Sequence, residues 1–368
     1  MRLVAAHRPS PDVGISYADT DAVKGLLIAC IVLGHNSIVS DSLPVIWTAL
    51  YAFHVTGFLL LPFLHPSHPA SRRFALDRAV RYGVPFIAFF LFAAALNAIL
   101  FRRGDPPVDI IRDVAWGLLV TTSTNSRIAT GFALYWFLPT LFCLVIARAL
   151  LASWDRSVRV VVFVSLLALH GFVGMLPDEI RNLIPLNLPI VVYVFPLGLI
   201  ASELWHRRYA GHLQQTATLT GALAIGTMLM FLAVGGRVNL ASLNVYSLAT
   251  PLMLLLADTV SVTAFLAIAA SSPALSRSRV LCWLGRSSLI VYLIHSLVFQ
   301  ALLRITPAGW VVDAGSASSI ATGIVLFIFT LFISGILAEV PRRVAPMRRV
   351  LLPRTWAEWR LTGGGGSA

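Results

Sequence analysis

Long apolar segments, separated by short polar or basic stretches, recur along the chain. About ten of them reach the roughly 17 to 25 residues that a helix needs to cross the hydrocarbon core of a bilayer. A helix is expected for each, because a backbone in lipid must satisfy its own hydrogen bonds. The pattern predicts an all-α fold, a polytopic bundle of about ten membrane-spanning helices. We place the spans near 22–40, 45–64, 83–101, 129–152, 158–176, 184–202, 215–234, 246–270, 287–304 and 317–338.

Composition agrees with a membrane protein and argues against a soluble domain. The chain is 58% hydrophobic and 12% charged, with a mean hydropathy of +0.83. No repeat stands out, so we expect a single transmembrane domain over residues 1–362, and the glycine-rich residues 363–368 read as an added linker. Asp19 and Asp21 precede the first apolar segment, which does not resemble a removable signal peptide. The short segment 109–120 is expected to lie along the membrane surface.

The distribution of basic residues predicts the orientation. With the N-terminus inside, about three quarters of the 28 Lys and Arg residues fall on the inner side, which predicts that both termini are cytoplasmic. The net charge of +12 does not indicate nucleic acid, because the arginines are scattered over several short loops. Membrane lipids with anionic headgroups are the expected partners of this charge.

Ionisable residues at membrane depth are costly, so they are the first candidates for function. Lys24, the only lysine, precedes His35 by eleven residues, which is about three helical turns and roughly 16 Å along the axis. Both therefore lie on one helix face, where Asp21 is a suitable partner for the ammonium group. His54 and His295 lie at a similar depth in their own predicted helices, so the three histidines can converge on one site.

A purely structural role and metal binding are the alternatives to a catalytic role for the histidines. A neutral histidine in a bundle can simply donate to a backbone carbonyl, and we assign that role to His170. His65 and His68 have an HxxH spacing, but the neighbouring prolines prevent a regular helix and no third ligand is evident. The three cysteines lack a paired spacing and read as core residues. We therefore predict no metal site.

Several segments resemble a known family. The stretch DTDAVKGLLIACIVLGHN resembles the first helix of the acyltransferase-3 family of integral membrane acyltransferases, in which Arg or Lys is followed by ten residues and a histidine. Lys24 and His35 fit that spacing, with Lys where Arg is commoner. His54 is followed by Val-Thr-Gly where the family often has Met-Pro. Further segments with counterparts in the family are YAFHVTGFLLLPF (51–63), SRRFALDRAVRYGVPF (71–86), LYWFLPTLF (134–142) and LGRSSLIVYLIHSL (284–297).

The resemblance implies an O-acetyltransferase of the bacterial inner membrane. It implies transfer of an acetyl group from cytosolic acetyl-CoA to a sugar hydroxyl of a cell-surface or secreted polysaccharide, or of its lipid-linked precursor. His35 would act as a general base or as a covalent acetyl carrier. His54 or His295 would orient it or donate to the oxyanion.

The resemblance also implies a binding site for acetyl-CoA, and one alternative function stays open. Lys24, with Asp21 beside it, would stabilise the headgroup side of acetyl-CoA, and the inner-loop arginines would hold its phosphates. Those arginines are Arg72, Arg73, Arg78 and Arg81. The alternative function is a transporter or flippase for a lipid-linked sugar, in which the midplane histidines would form a proton relay.

Overall fold

The computed structural model describes residues 17–51, 54–65, 70–174, 176–208, 238–239, 244–245, 275, 277–310 and 315–363. The predicted spans near 215–234 and 246–270 lie outside these residues. The helices are α1 (Tyr17–Gly34), α2 (Ser37–Ser42), α3 (Pro44–Tyr51), α4 (His54–Leu64), α5 (Arg72–Phe101), α6 (Pro107–Val120), α7 (Ser123–Thr130), α8 (Phe137–Ala152), α9 (Arg156–Gly174), α10 (Asp178–Arg181), α11 (Leu188–Arg208), α12 (Arg279–Ile305), α13 (Ala317–Arg343), α14 (Ala345–Leu351) and α15 (Trp356–Gly363).

Short elements complete the described chain. Two 3-10 turns span Pro185–Asn187 and Ala308–Trp310. A two-residue strand β1 (Val238–Asn239) pairs antiparallel with β2 (Asn244–Val245). These elements leave the architecture helical, as the sequence predicts.

Four helical segments among the described residues are long and apolar enough to cross a membrane: Arg72–Phe101, Pro185–Ser202, Arg279–Ile305 and Ala317–Arg343. The apolar helices α4 and α8 are shorter. The helical, membrane-type architecture is therefore confirmed. The total of about ten spans and the cytoplasmic placement of the termini stay predictions.

The first predicted span is not one continuous helix. Helix α1 ends at Gly34, and α2 begins at Ser37. Asn36 interrupts the helix because its extended backbone and its side-chain oxygen, which accepts from the Val39 amide, form the N-cap of α2. His35 consequently lies in the turn between two helices. The second predicted span likewise contains two helices, α3 and α4.

The basic stretch after α4 is helical, which corrects its prediction as a loop. Ser71 caps α5 by accepting a hydrogen bond from the Phe74 amide, so the helix starts at Arg72. Arg72, Arg73, Arg78 and Arg81 therefore occupy the first three turns of α5, ahead of its apolar part.

Helices α1 and α12 are parallel and meet at backbone distance through two glycines. A Cβ atom on Gly25 would overlap the Leu281 carbonyl group, and one on Gly285 would overlap that of Asp21. Small residues of this kind let helices approach closely in a membrane, where packing rather than the hydrophobic effect drives association. The two contacts are reciprocal, so they fix both the separation and the register of the pair.

The other helices build a continuous core beside this pair. Helix α11 packs against α4 and α9, while α13 packs against α12 and α2. The core contains fully buried aromatic side chains, among them Phe63, Phe90 and Tyr135. The α1–α12 pair is thereby held on one side by α4 and on the other by α13.

We expect Gly285→Ala to destabilise the protein by about 3 kcal/mol or more, because the new methyl group meets backbone that cannot move without separating α1 from α12. The measurement is thermal unfolding in detergent. Gly83→Ala in α5 is the matched control, since a Cβ there meets nothing within 4 Å, and it should be neutral or stabilising by up to about 1 kcal/mol. Equal stability of the two variants would contradict the close crossing.

Candidate active site

His35 and His295 meet directly. The Nδ1 atom of His35 lies 2.7 Å from Nε2 of His295, and the two rings are nearly parallel, at 15°, with centroids 5.0 Å apart. This geometry suits an N–H···N hydrogen bond between imidazoles. His295 is 1% exposed, whereas His35 is only partly buried. Of the two residues, His35 is the more exposed.

The hydrogen-bond partners of His295 determine the tautomer of both rings. Its Nδ1 lies 2.8 Å from the Tyr292 carbonyl oxygen and 3.1 Å from that of Val291, so Nδ1 carries the proton and donates. In the neutral ring Nε2 must then accept, and the proton between the rings belongs to Nδ1 of His35. His35 therefore presents an unprotonated Nε2, the form that a general base requires.

His54 lies on the other side of His35, with Tyr51 between them. The Tyr51 ring makes edge contacts with both imidazoles, at centroid distances of 6.3 Å to His35 and 4.8 Å to His54. His54 is fully buried, and its Nδ1 donates to the Leu50 carbonyl. Trp47 donates from Nε1 to the Gly34 carbonyl at 3.1 Å and so ties α3 to the end of α1. The three predicted histidines are thus brought together.

Two tyrosines connect α12 to the segment that precedes α8. Tyr292 donates its hydroxyl proton to the Leu134 carbonyl, and Tyr135 donates to the Leu293 carbonyl at 3.3 Å. The Tyr292 ring lies 6.0 Å from that of His295. This reciprocal pair of hydrogen bonds holds the turn of α12 whose carbonyls fix the His295 tautomer.

Asn36 anchors the turn that carries His35. Its side chain is fully buried, and Nδ2 donates to the Gly323 carbonyl of α13 at 2.7 Å. Its oxygen accepts from the Val39 amide at 3.2 Å. Because both bonds are buried and made by the residue next to His35, they position the imidazole relative to α13 as well as α12.

Lys24 lies at the opposite end of α1 from the histidines. Its Nζ is 3.5 Å from Oδ1 of Asp21, so the expected ion pair is present. Arg81 is within electrostatic range of Lys24. Burial lowers the pKa of His65, and the positive charges of Lys24 and Arg148 lower it further. We call this positively charged region, with Lys24, His65, Arg81 and Arg148, the basic end.

Arg148 also supports the end of α4. Its guanidinium donates to the Pro62 carbonyl and, at 2.5 Å, to that of His65, and it lies 5.4 Å from the centre of the Phe63 ring. These carbonyls belong to the last turn of α4, where the helix itself supplies no donor. Arg148 therefore closes α4 at the basic end.

The arginines predicted to bind the cofactor differ in their surroundings. Arg72, Arg73 and Arg81 are exposed, while Arg78 is half-buried and lies 4.9 Å from the centre of the Phe74 ring. None of them reaches the histidine cluster, which lies toward the other end of α1. Within the described ranges, no group of three or more His, Cys, Asp or Glu side chains is placed to hold a metal ion.

Sequence reasoning missed the residues that support the histidines. Tyr292 could have been found, because it lies three residues before His295 on the same face of α12. Asn36 had a signal as well, since a residue that favours helix caps follows His35 inside an apolar run. Tyr51, Tyr135 and Arg148 act through carbonyl or ring contacts between distant segments, and the pattern of the sequence does not reveal such contacts.

The fold and the site define a helical membrane protein with a cluster of imidazoles buried in its bundle. The family model described as an acyltransferase domain, of the acyltransferase-3 family, matches residues 17–339. The chain therefore belongs to that family, and the predicted family assignment is confirmed. No curated protein and no solved structure matches the chain. It is an acyltransferase-family protein of the membrane, and the match includes every helix that contributes a histidine to the cluster.

We expect Asn36→Ala to cost about 2 to 4 kcal/mol, because it leaves the buried Gly323 carbonyl and the Val39 amide without their partner. Thermal or denaturant unfolding in detergent measures the loss. Ser40→Ala in the neighbouring helix is the control. Its hydroxyl bonds only to Ser37 and Asp41 at the surface, so the change should stay within about 0.5 kcal/mol.

Proposed function

We propose that the protein is an O-acetyltransferase that moves an acetyl group from acetyl-CoA to a hydroxyl of a sugar. The acceptor is a polysaccharide of the cell surface or its lipid-linked precursor. The protein resides in the bacterial inner membrane, with its basic end toward the cytosol. Membership of the acyltransferase family supports acyl transfer, and the His35–His295 hydrogen bond is the observation that carries the mechanism.

His35 is the general base in this reaction. Its Nε2 accepts the proton of the acceptor hydroxyl while the oxygen attacks the carbonyl carbon of the thioester. The new C–O bond forms and the C–S bond breaks, and the departing thiolate of CoA takes up the proton from His35. His295 acts as a positioning residue, since its bond to Nδ1 keeps the lone pair of His35 on the reacting side.

The position of Lys24 supports acetyl-CoA as donor. Lys24 precedes His35 by eleven residues, or about 16 Å along a helix. A pantetheine arm contains well over ten single bonds and spans on the order of 15 Å when extended. A thioester at His35 would thus leave the diphosphate of CoA near Lys24 and Arg81, whose positive charges suit it.

The acceptor enters from the opposite end of the bundle. That end contains a buried group of hydroxyl and amide side chains from α7 and its surroundings, which can exchange hydrogen bonds with a sugar. Its members are Thr121, Thr122, Asn125, Ser126, Thr130, Thr140 and Asn187. Asn125 donates to the Asn182 carbonyl at 3.1 Å and Asn187 to the Thr140 hydroxyl at 3.3 Å. Leu134 follows Thr130 by four positions, and its carbonyl accepts from Tyr292 beside the histidines.

We expect His35→Gln to lower kcat by about 10² to 10⁴, because the general base is lost while the donor site is unchanged. The assay follows radiolabel from acetyl-CoA to a membrane glycolipid extract, and calorimetry with CoA is the control for an intact donor site. His295→Ala should lower kcat less, with KM for acetyl-CoA unchanged. Wild-type protein that binds no CoA and transfers no label would refute the proposed function.

A change at Lys24 should affect binding rather than chemistry. Lys24→Met is expected to raise KM for acetyl-CoA about tenfold with little change in kcat, because a charge-assisted contact to the diphosphate is lost. Lys24→Arg is the matched control and should retain a KM close to that of the wild type, since it keeps the positive charge. If Lys24→Met lowered kcat and left KM unchanged, Lys24 would belong to the reacting centre instead.

A further inference from the structure

The C-terminal segment folds back onto the basic start of α5. The backbone amide of Trp356, the first residue of α15, donates to Oδ1 of Asp77 at 2.8 Å. Helices α14 and α15 both pack against α5. This segment lies beyond residue 339, where the family match ends. It is therefore an addition to the matched domain that contacts the donor side of the proposed active site.

The docking point is continuous with the path assigned to acetyl-CoA. Asp77 and Arg81 are four residues apart and share one face of α5. Arg81 is within electrostatic range of Lys24, which begins the face of α1 that leads to His35. Neighbouring residues therefore lead from Trp356 through Asp77 and Arg81 to Lys24, at the end of α1 opposite the histidines. With pantetheine along α1 and the diphosphate near Lys24 and Arg81, the nucleoside of CoA would fall beside α15.

An aromatic pair is present at that position. The rings of Trp356 and Trp359 have centroids 5.3 Å apart, and the guanidinium of Arg360 lies 5.7 Å from the centre of the Trp356 ring. The two indoles flank each other, and Trp359 is 36% exposed. An indole at the surface can stack on a purine ring, as aromatic side chains do in proteins that bind nucleotides without base-specific contacts.

The charge around the pair suits a phosphorylated nucleoside. The stretch Arg72–Arg81 holds four arginines and one acid, Asp77, whose Oδ1 accepts from α15. Arg72, Arg73 and Arg81 are exposed, and so is Arg360. Guanidinium groups bind phosphate oxygens through paired N–H donors. The surface of α5 and α15 thus combines an exposed indole with several exposed guanidinium groups.

We propose that α15 completes the donor site, with Trp359 stacking on the adenine of CoA and the arginines of α5 and α15 binding its phosphates. This deepens the proposed function and rests on it. The same residues could serve an anionic membrane surface. The nucleotide is the better fit because the Trp356 amide is bonded to Asp77 on α5, four positions from Arg81. This contact holds α15 against the protein, whereas a helix that binds a membrane surface turns its apolar face to lipid.

The test compares acetyl-CoA with acetyl-pantetheine, which carries the same thioester but no nucleotide. Trp359→Ala should raise KM for acetyl-CoA about tenfold with kcat within twofold of the wild type, because a stacked base is lost. KM for acetyl-pantetheine should be unchanged. Asp77→Ala, which removes the acceptor for Trp356, should give the same pattern. Trp359→Phe should retain most of the affinity, since it retains a ring.

Trp310→Ala is the matched control. Trp310 is an exposed indole in the 3-10 turn after the C-terminal end of α12, far in sequence from α5 and α15, and its replacement should change neither KM. An unchanged KM for acetyl-CoA in Trp359→Ala overturns the proposal. An equal rise in KM for both donors also overturns it. If phosphatidylglycerol added to phosphatidylcholine vesicles abolishes the rise in KM, α15 anchors to lipid and the proposal is overturned as well.

Direct binding of CoA separates this proposal from the proposed function. Wild-type protein that binds CoA tightly but transfers nothing refutes the acetyltransferase, while a weaker Kd in Trp359→Ala still supports the nucleotide site. If the wild-type protein transfers label, and if its Kd for CoA equals that of Trp359→Ala, only the nucleotide site is refuted. Wild-type protein that binds no CoA refutes both.

Discussion

The backbone contact between α1 and α12 is the constraint on which the site depends. Gly25 and Gly285 meet the backbone of the facing helix, and each lies ten residues before a histidine on its own helix. Two parallel helices that touch at one pair of positions keep the same register ten residues later, about 15 Å further along their axes. The 2.7 Å bond between His35 and His295 is the result of that register. A larger residue at either glycine would separate the helices and with them the two imidazoles.

The same register turns backbone groups into determinants of reactivity. The carbonyls of Val291 and Tyr292 accept the Nδ1 proton of His295, and this choice passes through one hydrogen bond to His35. A single imidazole in an apolar bundle would be free to adopt either tautomer. When two imidazoles are hydrogen-bonded to each other and the Nδ1 proton of one is held by carbonyls, both tautomers are defined. The proposed reaction needs that definition, because a base must present its lone pair to the substrate before the substrate arrives.

The sequence alone predicted the helical membrane class, the family and the three histidines, because the length of the apolar segments, the order of the motifs and the depth of each histidine in its segment carry that information. The three-residue spacing of Asp21 and Lys24 also predicted their ion pair, which is a contact within one turn. It did not predict the break at Asn36, although Asn favours helix caps, because the Asn36 side chain is also held by the Gly323 carbonyl of a distant helix. Nor did it predict that the arginine stretch begins α5, where Ser71 caps the first turn.

The burial of the site bears on the competition with water. A thioester beside a general base is open to hydrolysis, so a transferase must admit a hydroxyl and exclude water. His54 and His295 are buried, and His35 is the most exposed of the three. In the proposed reaction the donor approaches His35 from the basic end, and the acceptor approaches from the end that holds the hydroxyl and amide side chains around α7. In that reaction, transfer would outcompete hydrolysis when both substrates are bound and exclude water from His35.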